Sequence, residues 1–398
     1  MHAPFTVALV GDHYVGWVGG AGLLGALTDG LIQAARLQHA RVHLLLDARR
    51  LPPAVRDSID VCATMPAEAL RLPGPLGALV EAAPMLQQVV FYRDLPAAMD
   101  RLGVDVVGPT AIDLGERFPR PWFAYIPDFQ HQYLAHLFSA DERRQRDAHF
   151  RAVLEHSAGV FVNSATVAAD IARFYPAVAA RKRVLRFPQL FPDVAGGRED
   201  RRAEVRARHG VPAPFLLSCS QRWAHKRHDL IVAGFAEHLR RQPDSPLHLV
   251  FTGETADYRD PGHAAAVDAR IDQSGLRHRV HVLGLVPRAD QLQLVAAAEA
   301  VVTASQFEGG PGASGVSEAA LLGTPVLASD IEANRELPFG RLSFYDGRSA
   351  EALAEAIGGL AVPRDPARAR PPYGPEQLGL LATAMGLQTL AALRGAVA

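Results

Sequence analysis

Short β-branched or leucine-rich runs alternate with longer helical patterns from one end of this chain to the other. This alternation limits the fold more than any other feature. Strands that read as near-continuous apolar runs must be covered on both faces, and the helical segments between them are the available cover. The expected class is α/β with parallel sheets. In the first half the strand patterns are "VALVG" (7–11), "VHLLLD" (42–47), "VVFYRD" (89–94), "VDVVG" (104–108), "WFAYIPD" (122–128), "GVFVNS" (159–164) and "VLRFP" (184–188). The stretch 48–88, with prolines at 52, 53, 66, 73, 75 and 84, is the least regular part.

Residues 189–214 hold Gly-Gly, several prolines and a charged helix-like run, with no strand pattern among them, and they read as a linker. A second series follows: "FLLSCS" (215–220), "LHLVFTG" (247–253), "VHVLG" (280–284), "AVVTAS" (300–305), "PVLASD" (325–330) and "LSFYD" (342–346). At 398 residues the chain exceeds one ordinary core and suits two domains of similar size. The last segment, "EQLGLLATAMGLQTLAALRGAVA", is apolar all round, as expected of a helix packed against protein on more than one side.

Charge and composition narrow the partners. With 41 Lys and Arg against 42 Asp and Glu, no overall basic field exists to gather nucleic acid. Cys62 and Cys219 fall in different halves, so a reducing, cytoplasmic setting is expected rather than a disulfide framework. The start "MHAPFTVALVG" carries only a five-residue apolar run, too short for a secretory leader, and no apolar stretch approaches a membrane span. Arginine-rich helical patterns at 141–151 and 198–208 leave peripheral contact with the inner membrane face open, although such charges usually mark a solvated face.

Two segments carry candidate chemistry. "FEGGPGASGVSEAALLGTPVLASD", residues 307–330, follows a strand pattern and reads as a glycine loop, a helix of about nine residues from Ser314, and a close at Gly323 and Pro325. Ligands of open parallel sheets collect beyond the carboxyl ends of the strands, where a helix start offers free amides and a positive dipole end. Gly309, Gly310 and Gly312 let the backbone approach an anion, and Glu308 and Glu318 can accept hydrogen bonds from sugar hydroxyls. A nucleotide sugar fits both features; a tight connection with solvated glutamates fits them as well. "SQRWAHKRHDLIVAGF", residues 220–235, reaches the same sheet edge, where Lys226, with Arg222, can neutralise a diphosphate. Unneutralised cations at a helix start are unfavourable by a few tenths to about 1 kcal/mol, which favours an anionic ligand there. His225 and His228 have no carboxylate or cysteine partner at ligand spacing, so no metal is expected.

Several segments together resemble a GT-B fold glycosyltransferase of the large retaining family 4, the glycosyl transferases of group 1. They are "VGGAGLLGALTDGL", "AYIPDFQHQYLAHLFSADERRQRDAHF", "FVNSATVAADIARFYP", "SCSQRWAHKRHDLIVAGF", "VHVLGLVPRADQLQLVAAAEAVVTASQFEGG" and "SEAALLGTPVLASDI" followed by "NRE", in the family's order over nearly the whole chain. The resemblance implies two Rossmann-like, doubly wound parallel-sheet domains facing a cleft. It implies an acceptor-side domain over 1–195, a donor domain over 196–370, and a helix over 371–398 returning to the first domain. It further implies a nucleoside-diphosphate-sugar donor, a glycan, lipid-linked or small-molecule acceptor, and retention at the anomeric carbon by front-face attack. No cofactor or metal is implied, and the chain has no DxD motif.

Carried onto matching positions, the resemblance gives Lys226 the donor diphosphate, Glu308 the transferred sugar and Glu318 the ribose. Backbone from Gly310 through Gly312 and Ala313 to Ser314 takes the phosphates, and backbone near Leu285 takes the base. Gly19 and Gly20, in the loop after "VALVG", approach the donor from the first domain, and Asp128 and His131 stand at a strand end of that domain where the acceptor meets the sugar. A structural role for His131 at the strand end is the competing reading. Two departures stand out. Glu308 and Glu318 have nine residues between them, more than the family places there, and Arg222 lies closer to Lys226 than the family's arginine does to its lysine.

Two rivals remain. Gly20, Gly22 and Gly25 have GxGxxG spacing, with Asp47 22 residues later, as in dinucleotide-dependent oxidoreductases; however, Gly20 lies nine residues beyond Gly11, too far from its strand. The second rival keeps the fold without the transfer, as a nucleotide-sugar epimerase or a binding protein.

Overall fold

The structure, a computed structural model, describes residues 3–14, 18–70, 83, 85–180, 182–187, 194, 197–311, 315–338, 340–363 and 370–397. The chain divides into two compact units. The first comprises Met1–Pro127, Asp141–Asp193 and Glu376–Ala398, and the second Asp128–Ala140 and Val194–Pro375.

The first unit is built on strands β1 (Phe5–Val10), β2 (Ala40–Asp47), β3 (Cys62–Pro66), β4 (Gln88–Tyr92), β5 (Val106–Thr110), β6 (Trp122–Tyr125), β7 (Gly159–Val162) and β8 (Val184–Arg186). They form one sheet in the order β3-β4-β2-β1-β5-β6-β7-β8. All neighbours run parallel except β3, which pairs antiparallel with β4 at the edge. Strand β3 lies in the irregular 48–88 stretch and departs from the all-parallel expectation. The central strands are buried throughout, as residues 7–10 of β1 and all of β5 and β6 illustrate, which is why they read as unbroken apolar runs.

Local chemistry sets the helix ends. Asp94 accepts the amide of Ala97 and Gly103, at φ 63°, closes the helix Leu95–Leu102; Ser164 caps Ala165–Phe174 through the amide of Val167. The final helix, Pro375–Arg394, packs on the helix Val18–Leu37 with almost no gap: a Cβ on Gly386 would stand 1.8 Å from the Gly30 carbonyl oxygen. Thr383 Oγ1 donates to Gln33 Oε1 at 2.7 Å, and Arg394 to the Gln38 carbonyl. The expected return of this helix to the first unit is therefore present.

The second unit carries β9 (Phe215–Cys219), β10 (His248–Thr252), β11 (Val280–Gly284), β12 (Ala300–Thr303), β13 (Val326–Ser329) and β14 (Leu342–Tyr345). The order is β11-β10-β9-β12-β13-β14, with every neighbouring pair parallel. The chain builds outward from β9 through β10 to β11, then crosses to β12 on the other side. Adjacent strands β9 and β12 therefore flank the topological switch point, where loops at the carboxyl edge diverge and leave a crevice. Beneath it lies a core that includes Leu216, Phe235, Phe251 and Val302, each no more than 1% exposed.

Candidate functional site

The loop after β9 runs through a 3-10 turn, Ala224–Lys226, into the helix His228–Arg241. Between them Arg227 takes a left-handed conformation, φ 53°, unusual for a side-chain-bearing residue. That twist ends the turn directly after Lys226. Its Nζ donates to Glu308 Oε1 at 2.6 Å, and the two side chains are only 7% and 9% exposed. Glu308 comes from the loop after β12, so the ion pair bridges the two loops at the switch point. The Gln306 amide donates to the His225 carbonyl at 2.8 Å, tying the same loops together, and Ser329 Oγ, at the end of β13, donates to the Ser305 carbonyl at 2.7 Å. Lys226 and Glu308, matched separately to one ligand in the sequence, are thus brought into direct contact.

The imidazoles beneath are neutral. Burial above all, with Lys226 and Arg259 beside it, pushes His225 down to about 2. Burial, with Arg222 and His263 nearby, pushes His228 down to about 3. His228 rests edge-on against Phe251, with Nε2 3.3 Å from Ser220 Oγ.

Other expected residues fall elsewhere. Arg222 is buried at 3% exposure and turns to the helix His263–Gln273, donating to the Ala264 carbonyl at 2.8 Å and to Asp268 Oδ1 at 3.2 Å. These bonds brace that helix. Glu318 lies in the first turn of the helix Val316–Leu322 and pairs with Arg288 at 2.5 Å. That helix has seven residues and is capped by Gly315, shorter than the expected nine from Ser314. Gly315 is required by conformation and by space: φ is 79°, and a Cβ would stand 2.2 Å from Cys219 Sγ. Burial raises the pKa of that thiol, with Glu318 adding to the effect. Gly310 is buried beside Glu308, Leu285 follows β11 and is 66% exposed, and Gly312, Ala313 and Ser314 lie outside the described residues.

In the first unit, Gly19 and Gly20 belong to the first turn of the helix Val18–Leu37 rather than to a loop. Gly22 and Gly25 lie further along the same helix, which removes the tight glycine turn that a dinucleotide fingerprint needs. Asp47 is engaged with Arg49 and caps the following turn.

Asp128 and His131 were expected with the first domain; their segment groups with the second unit. Asp128 Oδ1 accepts the amide of Gln130 at 2.9 Å, which bends the chain into the short helix Gln130–Tyr133. His131 is 1% exposed, its ring near those of Phe129 and Phe138. Tyr133 packs on Phe307, the neighbour of Glu308, with ring centroids 5.1 Å apart. Sequence reasoning missed Arg259 and Asp257 in the loop after β10. Asp257 Oδ2 accepts the Ala224 amide at 3.0 Å, and Arg259 donates to Gln130 Oε1 at 2.6 Å. The signal for both was their place just beyond the carboxyl end of "LHLVFTG".

Solved structures resemble the whole chain. Sucrose-phosphate synthase from Thermosynechococcus elongatus matches over 98% of both chains, with a TM-score of 0.65 and 19% identity. A glycosyltransferase from Rickettsia africae matches over 100% of this chain and 99% of its own, with a TM-score of 0.60 and 12% identity. HepE of Anabaena, solved in complex with UDP and glucose, matches over 98% of both, with a TM-score of 0.59 and 18% identity. At these identities the likeness establishes the fold alone, the GT-B arrangement of two parallel-sheet α/β domains. Residues 213–361 match the family described as Glycosyl transferases group 1. Over 128 residues, 32% of the chain, the sequence is 28% identical to mannosylfructose-phosphate synthase of Agrobacterium fabrum, and the match spans 28% of that protein's length.

Proposed function

We propose that the chain moves a sugar from a nucleoside-diphosphate sugar to a hydroxyl of a glycan, lipid-linked or small-molecule acceptor, in cytoplasmic glycan or glycoconjugate synthesis. One observation carries the reading: a buried lysine–glutamate pair at the switch point of a parallel sheet, inside a glycosyl transferases group 1 domain. The neighbour solved with UDP and glucose supports the choice of donor class. In this reading Lys226 faces the diphosphate and stabilises the charge that grows as the leaving group departs. Glu308 accepts hydrogen bonds from the transferred sugar, and Glu318, now held by Arg288, accepts those of the ribose. The bond from the anomeric carbon to the diphosphate oxygen breaks, the acceptor oxygen bonds on the same face, and the acceptor proton leaves with the phosphate. Retention results, and no metal is required, because lysine and backbone amides supply the positive charge.

The test is a thermal-shift panel of UDP, GDP, TDP, ADP and NAD on the wild type and on Lys226→Ala. A nucleoside diphosphate at a hundredfold excess over Kd should stabilise the wild type by about 2.7 kcal/mol, and Lys226→Ala should lose most of that gain. Stabilisation by NAD alone would overturn the reading.

A further inference from the structure

The Asp128–Ala140 segment does not hold itself in place. Its short helix has four residues and no side-chain cap, so its position depends on what grips it from the second unit. Arg259 is one such grip. Its guanidinium side chain, 4% exposed, lies 4.9 Å from the Trp223 ring centroid and 5.4 Å from those of Phe138 and Tyr258. Nη1 donates to Gln130 Oε1 at 2.6 Å, Nε to Asp257 Oδ1 at 3.2 Å, and Nη2 to His225 Nδ1 at 3.3 Å, which places the neutral imidazole's proton on Nε2. One planar fork therefore joins three pieces: the loop of Lys226, the loop after β10, and the segment of His131. A lysine, whose three donors radiate from one nitrogen, cannot reproduce the spread of Nε, Nη1 and Nη2 over these partners.

The segment is held a second time where Tyr133 packs on Phe307. His131 lies between these holds, one residue from Gln130 and two from Tyr133. Farther along, His136 and Leu137 form part of the wall of a cavity of about 500 Å³, with Ala224, Arg227, His263 and Gln306 on other sides. A segment that walls a cavity beside the Lys226 loop, and is fixed by a residue of neither, has its register set from outside.

We propose that Arg259 is a positioning residue: through Gln130 it sets the register of the Asp128–Ala140 segment, and with it His131, against the Lys226–Glu308 pair. The proposal rests on the transferase reading above for its kinetic readout, and on hydrogen exchange for a readout independent of it. In the full-length chain, Arg259→Lys and Gln130→Leu should each speed amide exchange across 129–138 at least about tenfold while leaving the helix His228–Arg241 unchanged. Both should lower kcat about 100-fold, the scale of a small misplacement of reacting groups, with the donor KM within about threefold of wild type. Gln130→Glu, which restores an acceptor for Arg259, should recover both exchange protection and most of kcat. Unchanged exchange in Arg259→Lys and Gln130→Leu would overturn the proposal. So would equal losses in Gln130→Leu and Gln130→Glu, or a parallel loss of protection in the helix His228–Arg241. A wild type that transfers no sugar would overturn the transferase reading alone, and the exchange experiment would still decide the positioning role.

Discussion

Replacing Lys226 with methionine isolates what the buried pair contributes. Across 2.6 Å, at an effective dielectric of about 20, the attraction between the two charges is roughly 6 kcal/mol. Desolvation offsets most of it, at several kcal/mol per ion. The intact pair is therefore close to neutral for stability, whereas removing Lys226 leaves a carboxylate that is 9% exposed without its ammonium. The expected cost of Lys226→Met is about 3–5 kcal/mol. The second unit holds about 195 residues, a size at which each kcal/mol moves Tm by about 2–4 °C; the smaller cost then corresponds to roughly 6–12 °C. Because two units need not unfold together, exchange of the β9 and β12 amides should be followed beside the thermal transition. The double variant Lys226→Met, Glu308→Gln should be far less destabilised than the sum of its single variants, yet inactive. A single variant within about 1 kcal/mol of wild type, or strict additivity in the double, would show that the two side chains are not coupled in solution and would refute the reasoning.

Gly315→Ala should lower stability by at least about 2 kcal/mol, since it forces a left-handed alanine against Cys219 Sγ; an unchanged melting temperature would contradict that packing. Acid should weaken the second unit early. His225 and His228 titrate far below the unfolded value of about 6.5, so the unfolded chain binds protons that the folded chain refuses, and stability present above about pH 6.5 falls as the pH drops toward 3. The slope is about 1.4 kcal/mol per pH unit for each imidazole; urea midpoints for the wild type and His228→Asn at pH 7, 6 and 5 measure it, and a variant as steep as the wild type would exclude His228 as a cause. Transfer activity, once a donor is found, should persist in EDTA; loss restored by Mn²⁺ would replace the lysine-based account of the leaving group with a metal-based one.

Periodicity carried most of the fold. Thirteen of the fourteen strands among the described residues coincide in position with apolar runs, because strands of a parallel sheet are covered on both faces and leave a pattern visible without tertiary information. Strand β3 did not. Its sequence, "CATMP", holds no β-branched run and ends in proline, and its residues are only half-buried or exposed. An edge strand held by one neighbour needs little apolar surface, so its pairing with β4 is invisible until the partner is known.

The site divides along the same physical line. Lys226 and Glu308 were legible as candidates because each follows a strand whose carboxyl end can be located from the pattern. Their pairing was not, since it depends on strand order: "FLLSCS" and "AVVTAS" are adjacent only because the chain crosses from β11 to β12 over the sheet. Arg222 turns elsewhere than expected for the converse reason. Nearness in sequence to Lys226 suggested a shared ligand, while the turn between them sends the guanidinium to Asp268.

The clearest failure is the segment after β6. A strand end followed by a helical pattern reads as part of the sheet it leaves, and nothing local says otherwise. What moves Asp128–Ala140 to the other unit is a set of partners far away in sequence: Arg259 for Gln130 and Phe138, and Phe307 for Tyr133. None of these contacts has a periodic signature. They come from one buried guanidinium with several acceptors and rings around it, and a lone Arg in a loop reads as surface charge until its burial is known. The residues proposed to carry chemistry are announced by strand ends, whereas the one proposed to align them is announced only by burial of a charge. The decisive comparison is therefore between Arg259→Lys, which keeps the charge and loses the fork, and Lys226→Met, which keeps the fork's partners and loses the charge. The first should loosen the His131 segment and leave the Lys226–Glu308 loops ordered, and the second should do the reverse.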